Sequence, residues 1–362
     1  MPFLVHLGFA QPPSIMIHAI QKMTLALLLG NSALSCMAAP LSSLWPGSVQ
    51  KLDKTIIKPP YAVVARPFFG QRFNGVDIIG LDPVTLKPIS RSATSLNCLR
   101  VHASANGSVM CFTNVVPNKV SQFSNPTSYI YTSDLSLEST HVNQSTGRPN
   151  RARMSADGKF SATTEFATGH SYVGVGGDTF STLTLLVRTG VQGQGQDIQN
   201  WAVLHEGRKV TSADLNLWGV TFDPSNSNRF FVTVYFAGKP YLAEGNVNDR
   251  RIETVKEGGE CPSFSPDGKR LAFKKRTSAT GWSPAVLELT TLKEKVIDIG
   301  DSVDDQIEWL DNHTLVYEIV TRPLIGSPTS DLMSLNVDAA RPQQQLWLEQ
   351  ARSPGFVRAR AE

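Results

Sequence analysis

Gly169-His170-Ser171-Tyr172-Val173 is the chain's nearest approach to a Gly-x-Ser-x-Gly elbow, the strand-to-helix turn that exposes a serine nucleophile. It lacks the closing glycine and no helical pattern follows, so it reads as a polar loop. Gly174-Val175-Gly176-Gly177-Asp178 is glycine-rich enough to suggest a phosphate cradle. A helix should open immediately after such a loop, yet Thr182 to Val187 is β-rich, so a dinucleotide site is not expected. His102, His141, His170, His205 and His313 form no i,i+4 pair and no His-x-His, and His205-Glu206 is the one adjacent His–carboxylate pair among them. It reads as a solvated turn. No catalytic residue, metal site or cofactor is assigned.

Two charged clusters remain. Asp301, Asp304, Asp305 and Glu308 precede one predicted strand; Arg148, Arg151 and Arg153 hold the corresponding place before another. Trp218 and Glu260 fall at comparable positions. The simpler reading is a set of solvated rim charges. The functional reading is a polar pocket of opposed charges, suited to a peptide or sugar, with Arg148, Arg151, Trp218, Glu260, Asp304 and Asp305 as its binding residues.

The elements that must position these residues are short strands. Cys261-Pro-Ser-Phe-Ser-Pro-Asp-Gly-Lys-Arg-Leu-Ala-Phe273 reads as two strands joined by a tight turn. Pro266 pre-sets φ for the second turn position, and Gly268 supplies the positive φ that closes a hairpin with a bulge. Phe264, Leu271 and Phe273 offer apolar side chains that one hairpin cannot bury alone. Related hairpins recur at 101–112, 153–162, 220–232 and 307–317. A second type alternates with them, at 77–89, 129–138, 183–204, from Pro240, at 285–296 and from Asp331. The period is about 40–50 residues, that of a four-stranded propeller blade. Six second-type hairpins stand against five of the first type. Laying Tyr61–Arg66 beside Phe356-Val357-Arg358 supplies the missing inner pair and closes the ring without a half-built blade. The expected fold is all-β: a six-bladed β-propeller of antiparallel four-stranded blades over 56–358, closed by the chain termini.

The 261–273 stretch resembles the Pro-x-Phe-Ser-Pro-Asp-Gly-Lys-x-(Ile/Leu)-Ala-Phe repeat of the TolB-like propellers (WD40-like PD40 repeats), and 153–162 and 101–112 look like degenerate copies. The resemblance covers about 56–358 and implies the same six-bladed fold. The family's namesake resides in the Gram-negative periplasm, couples to outer-membrane lipoproteins in the Tol-Pal system, and carries an additional N-terminal α/β domain. The short stretch before the first strand here leads us to expect that domain to be absent.

Lys22 and the apolar run Met23–Gly30, followed by small residues through Ala39, read as a secretory signal over 1–38 with cleavage near Ala38. Acylation at Cys36 is the alternative. Residues 39–55 are expected to be an irregular lead-in. Export makes a Cys98–Cys111 disulfide possible, since the two lie on the two arms of one predicted hairpin, but adjacent strands do not guarantee bridgeable geometry. Cys261 is then left as a buried thiol. Asn106-Gly-Ser, Asn143-Gln-Ser and Asn312-His-Thr match the N-glycosylation pattern. A net charge of +3 with no basic stripe gives no reason to expect nucleic acid. The expectation is a periplasmic or secreted monomer, a non-catalytic binding module for a protein or cell-envelope component, with a small glycan or peptide also compatible. The alternative is a lyase or hydrolase acting on a carbohydrate or peptide in the channel.

Overall fold

The computed structural model describes residues 49–51, 58–67, 74–116, 119–168, 180–191, 195–278, 281–303, 306–326 and 328–359. These lie in one compact unit, Pro46–Glu362. The expected signal segment, Cys36, the 169–178 motifs, Asp304 and Asp305 lie outside the described residues.

Six antiparallel blades form the ring. Blade 1 is built from β2 (Tyr61–Ala65), β3 (Gly75–Leu81) and β4 (Pro88–Asn97), and β27 (Arg352–Val357) from the other end of the chain is its innermost strand. The register pairs Tyr61 with Val357 and Ala62 with Phe356, the closure expected from the sequence. Blade 2 is β5 (Arg100–Ala103), β6 (Val109–Val116), β7 (Lys119–Tyr131) and β8 (Leu137–Val142). Blade 3 is β9 (Arg148–Met154), β10 (Phe160–Thr168), β11 (Ser181–Arg188) and the short β12 (Gln196–Asp197). Blade 4 is β15 (Asn216–Phe222), β16 (Arg229–Phe236), β17 (Lys239–Asn246) and β18 (Arg251–Glu257). Blade 5 is β19 (Gly259–Phe264), β20 (Arg270–Arg276), β21 (Trp282–Glu288) and β22 (Glu294–Val296). Blade 6 is β23 (Ile307–Trp309), β24 (Thr314–Thr321), β25 (Thr329–Asn336) and β26 (Gln345–Leu348).

Two details differ from expectation. Within the lead-in read as irregular, β1 (Val49–Lys51) pairs in parallel with β4 at the outer edge of blade 1. The 183–204 segment is not one hairpin. Beyond β12, a 3-10 turn (Ile198–Asn200) carries the chain to β13 (Ala202–His205), which pairs in parallel with β18 of the next blade and antiparallel with β14 (Arg208–Lys209). A period-2 pattern shows that Val203 is buried, but not against which blade.

Apolar layers form between neighbouring blades. Met110, Phe112 and Ile130 of blade 2 pack on Ala152 and Met154 of blade 3. Phe231 and Leu242 of blade 4 pack on Phe264, Leu271 and Phe273 of blade 5, with Phe231 and Phe264 edge-to-face at 5.5 Å. Trp309 of blade 6 is fully buried and donates its Nε1–H to Ser263 O of blade 5 at 2.9 Å. Blade 1 is tied polarly as well. Asp77 receives Arg66 Nε and Arg91 Nε, each at 2.8 Å, and Arg91 donates onward to Glu349 O and Gln350 O.

The Ser265–Arg270 turn has the anticipated form. Gly268 has φ +71° and donates to Ser265 O at 2.9 Å. Asp267 Oδ1 accepts from Ser265 Oγ at 2.6 Å and from Lys269 N–H at 3.1 Å. Ser155–Phe160 repeats this bond for bond: Gly158 (φ +73°) donates to Ser155 O, and Asp157 accepts from Ser155 Oγ and Lys159 N–H.

Candidate functional site: the channel and its mouth

The innermost strands β27, β5, β9, β15, β19 and β23 contact one another in that cyclic order and line a central channel. Each starts at the same end, the mouth, where the second and third strands of each blade also connect. The inner-hairpin turns occupy the opposite end.

Each inner strand must bring its backbone close to its neighbours, and bulges make this fit. β15 and β19 break register between Trp218/Thr221 and Glu260/Ser263, with Gly219 (φ +72°) and Cys261 (φ +52°) in the left-handed region. A threonine of the preceding blade holds each bulge: Gly219 N–H donates to Thr164 Oγ1 at 3.4 Å, and Cys261 N–H to Thr233 Oγ1 at 2.8 Å. A Cβ on Gly219 would sit 3.0 Å from Cys261 Cα, so glycine is required there. The left-handed Cys261 had no local signal in the sequence.

The charges expected on the rim are distributed differently. Arg148, the first residue of β9, is exposed at the mouth. Arg151 is 6% exposed and lies inside the channel, with Nη2 3.4 Å from Cys261 Sγ across the ring in blade 5 and Nη1 bonded to Asn150 O at 3.1 Å. Glu260 is 2% exposed and accepts the Trp282 Nε1–H at 2.7 Å; the Lys274 ammonium lies 4.5 Å from the centroid of that indole. Solvated rim charges are therefore the wrong description of Arg151 and Glu260. The acidic cluster also divides: Asp301 is exposed and accepts from Gln344 Nε2, whereas Glu308 is buried in the channel.

Glu308 ion-pairs with Arg153 of blade 3, the diametrically opposite blade. Arg153 Nη2 also donates to Ile307 O at 3.2 Å. Burial lowers the Arg153 guanidinium from its usual pKa, and Glu308 works against that shift. Arg358, just past β27, is held likewise, donating to Leu310 O at 3.1 Å and to Trp309 O. His102 accepts Met154 N–H on Nδ1 at 3.1 Å. Burial, then the charges of Arg153 and Arg358, push its pKa well below the ordinary value, so the ring is neutral at physiological pH. Among the described residues, polar side chains reach across the channel between non-neighbouring blades.

Trp218 belongs to an aromatic arc at the mouth over blades 3 and 4. Phe166 and Phe180 lie 5.7 Å apart, Phe180 meets Trp218 edge-on at 5.7 Å, and Tyr235 follows at 6.1 Å. Sequence reasoning found Trp218 but not its company, because Phe166 and Tyr235 come from second strands.

The described histidines make separate contacts. His141 Nε2 accepts from Gly195 N–H, His205 bonds Thr254 Oγ1 at 2.8 Å, and His313 pairs with Asp338 at 2.6 Å. Among the described residues no three His, Cys, Asp or Glu side chains are grouped to hold a metal ion. Cys98, in the connection just before β5, and Cys111 in β6 are disulfide-bonded with Cα atoms 5.3 Å apart, and Cys261 is a buried free thiol. Of the glycosylation motifs, Asn143 is fully buried, its amide donating to Glu165.

No family model and no curated protein matches the chain. Solved structures do. TolB from Acinetobacter baumannii superposes with a TM-score of 0.56 at 15% identity, over 83% of this chain and 66% of that one, so this chain spans just under two thirds of that protein's length. A puromycin-hydrolyzing peptidase from Mycobacterium tuberculosis gives a TM-score of 0.46 at 12% identity, over 82% of this chain and 45% of that one. A protein of unknown function from Bacteroides caccae gives 0.45 at 13% identity, over 83% and 100%. With the six-sheet ring and its closure, the chain is a TolB-like six-bladed β-propeller in fold.

Proposed function

We propose that this chain is an exported, monomeric, non-catalytic binding platform whose channel mouth engages a protein or another component of the cell envelope. The observation that carries the reading is the buried Arg153–Glu308 pair, which joins opposite blades and occupies the channel axis with groups that satisfy one another. A ring braced in this way presents a fixed surface and binds without the cost of ordering it. The mouth has the chemistry for a partner: exposed Arg148, the Phe166–Tyr235 aromatic arc, and Leu324 and Ile325, which stand fully exposed at the β24–β25 connection. Exposed apolar side chains on one side of the mouth and aromatic side chains on the other suit a protein interface. Among the described residues no helix is long and apolar enough to cross a membrane.

A photo-crosslinking amino acid at Arg148 or Ile325, in the protein expressed in its own envelope, tests this. The expected result is a cross-link to one macromolecular partner from both mouth positions and none from Val84, an exposed residue at the turn end. Turnover of a peptide or glycan library by the purified protein, with no cross-link at the mouth, would replace the binding reading with the enzymatic one.

A further inference from the structure

The crossing from blade 3 to blade 4 creates a second site, remote from the channel. Where the chain leaves β12 and turns to join the outer edge of blade 4, it opens a cleft of about 460 Å³. Gln196, Asp197, Asn200, Trp201 and Ala202 line it from the crossing segment, and Arg250 from the β17–β18 turn. Its walls are fixed. Ala202 N–H donates to Arg250 O at 3.1 Å, and Trp201 packs edge-on against Phe230 at 5.9 Å. Asp197 Oδ1 accepts Gln199 N–H at 3.0 Å and Oδ2 accepts Asn200 Nδ2 at 3.2 Å.

The chemistry of these groups selects a ligand. Asp197 and Arg250 supply one formal charge of each sign, so the cleft favours neither an anion nor a cation. Among the described residues no carboxylate pairs with the exposed Arg250 guanidinium, whereas its neighbour Arg251 is paired with Glu253. The Gln196 amide offers both donors and an acceptor, and the Asn200 amide, one N–H of which is engaged by Asp197, offers a donor and an acceptor, the complement of hydroxyl groups that also do both. The indole of Trp201, itself mostly buried against Phe230, forms the apolar part of the wall. An apolar ligand would strand the amides and the guanidinium without partners. The size is within the range of small-ligand clefts, and the open side admits a longer chain.

We infer that this cleft binds a neutral oligosaccharide. The site is independent of the channel mouth, so either reading can fail alone. Burial raises the pKa of the Asp197 carboxyl, opposed by the Gln199 N–H, as expected for a carboxyl set in a cleft wall.

Isothermal titration against chitotetraose, cellotetraose, maltotetraose and mannotetraose tests the inference, with a uronate tetrasaccharide and tetra-alanine as charged and peptidic comparators. At least one neutral tetraose should bind, and more tightly than either comparator. Asn200→Ala and Arg250→Ala, both at exposed positions, should each weaken that binding about tenfold, the worth of one hydrogen bond to the ligand. Val84→Ser, on the far blade 1 turn, should leave it unchanged. Circular dichroism of each variant shows that it is folded. The inference is overturned by no binding of any neutral tetraose at millimolar concentration, by tighter binding of a comparator, or by folded Asn200 and Arg250 variants that bind as wild type does.

Discussion

At the turn end of the ring, neighbouring hairpins touch through short polar links. Asn106 Nδ2 reaches Asp157 O at 3.3 Å, and Asp267 N–H reaches Asn312 Oδ1 at 3.0 Å. Inside the channel, the ties skip neighbours: Arg151 reaches from blade 3 to blade 5, and Arg153 from blade 3 to blade 6. The turn end is therefore a chain of local motifs, each able to form within one hairpin. The channel depends on the whole ring being closed before its buried charges find partners. Local damage should weaken the turn end in small steps, whereas loss of one partner in the channel should be felt as an unpaired buried charge.

The Cys98–Cys111 link sits where the chain passes from blade 1 into blade 2, and its removal should give a large effect. It closes a loop with a sequence separation of 13, so Cys111→Ser should cost about 3 kcal/mol in denaturant unfolding. Reductant should impose the same loss on the wild-type protein and none on the variant. At the turn end, Gly268→Ala places a Cβ on a residue with φ +71° and should cost about 1–2 kcal/mol, read as a lower midpoint with unchanged slope. An equal loss from Gly158→Ala (φ +73°) would confirm that the two turns are the same device.

The ends should also respond oppositely to pH. For Asp267 and Asp157, burial raises the pKa, but the bonds from Ser265 and Lys269, and from Ser155 and Lys159, outweigh it and leave both carboxyls below the usual range. A depressed folded value contributes stability above the unfolded pKa, lost as pH falls through the folded one. Near the mouth, Glu165 is fully buried against Asn143 and Ser145. Burial raises its pKa, and the bonds from Ser145, Asn143 and Gly147 N–H only partly offset it. Its contribution is greatest below the unfolded pKa and is lost as pH rises through the folded one. Thermal unfolding should show Glu165→Gln more stable than wild type at about pH 8, with the gap closing toward about pH 4, while Asp267→Asn should be less stable than wild type at neutral pH and lose that deficit in acid. Parallel pH profiles for the two variants would remove the contrast.

Much of the architecture was legible because it is local. Phe264, Leu271 and Phe273 alternate as strand residues must, Pro266-Asp267-Gly268 encodes its own turn, and the unequal hairpin counts required Tyr61–Arg66 to meet the C-terminus. The site was legible only in part. Arg151, Trp218 and Glu260 all lie on innermost strands, yet Arg151 and Trp218 meet residues of other blades and Glu260 meets outer strands of its own. Arg153 and Glu308 are 155 residues apart in the chain, and no spacing rule links opposite members of a ring. The β13 crossing escaped for a related reason, since an apolar strand at a blade edge can join either of two sheets.

A double-mutant cycle across the channel tests the central claim most directly. Arg153→Met and Glu308→Leu should each cost about 3–5 kcal/mol in denaturant unfolding, because each leaves a buried polar partner uncompensated. The double variant should cost far less than their sum, giving a coupling of at least about 2 kcal/mol. Additive losses would show that the two residues do not brace the ring, and the account of a fixed, channel-locked platform would fall with them.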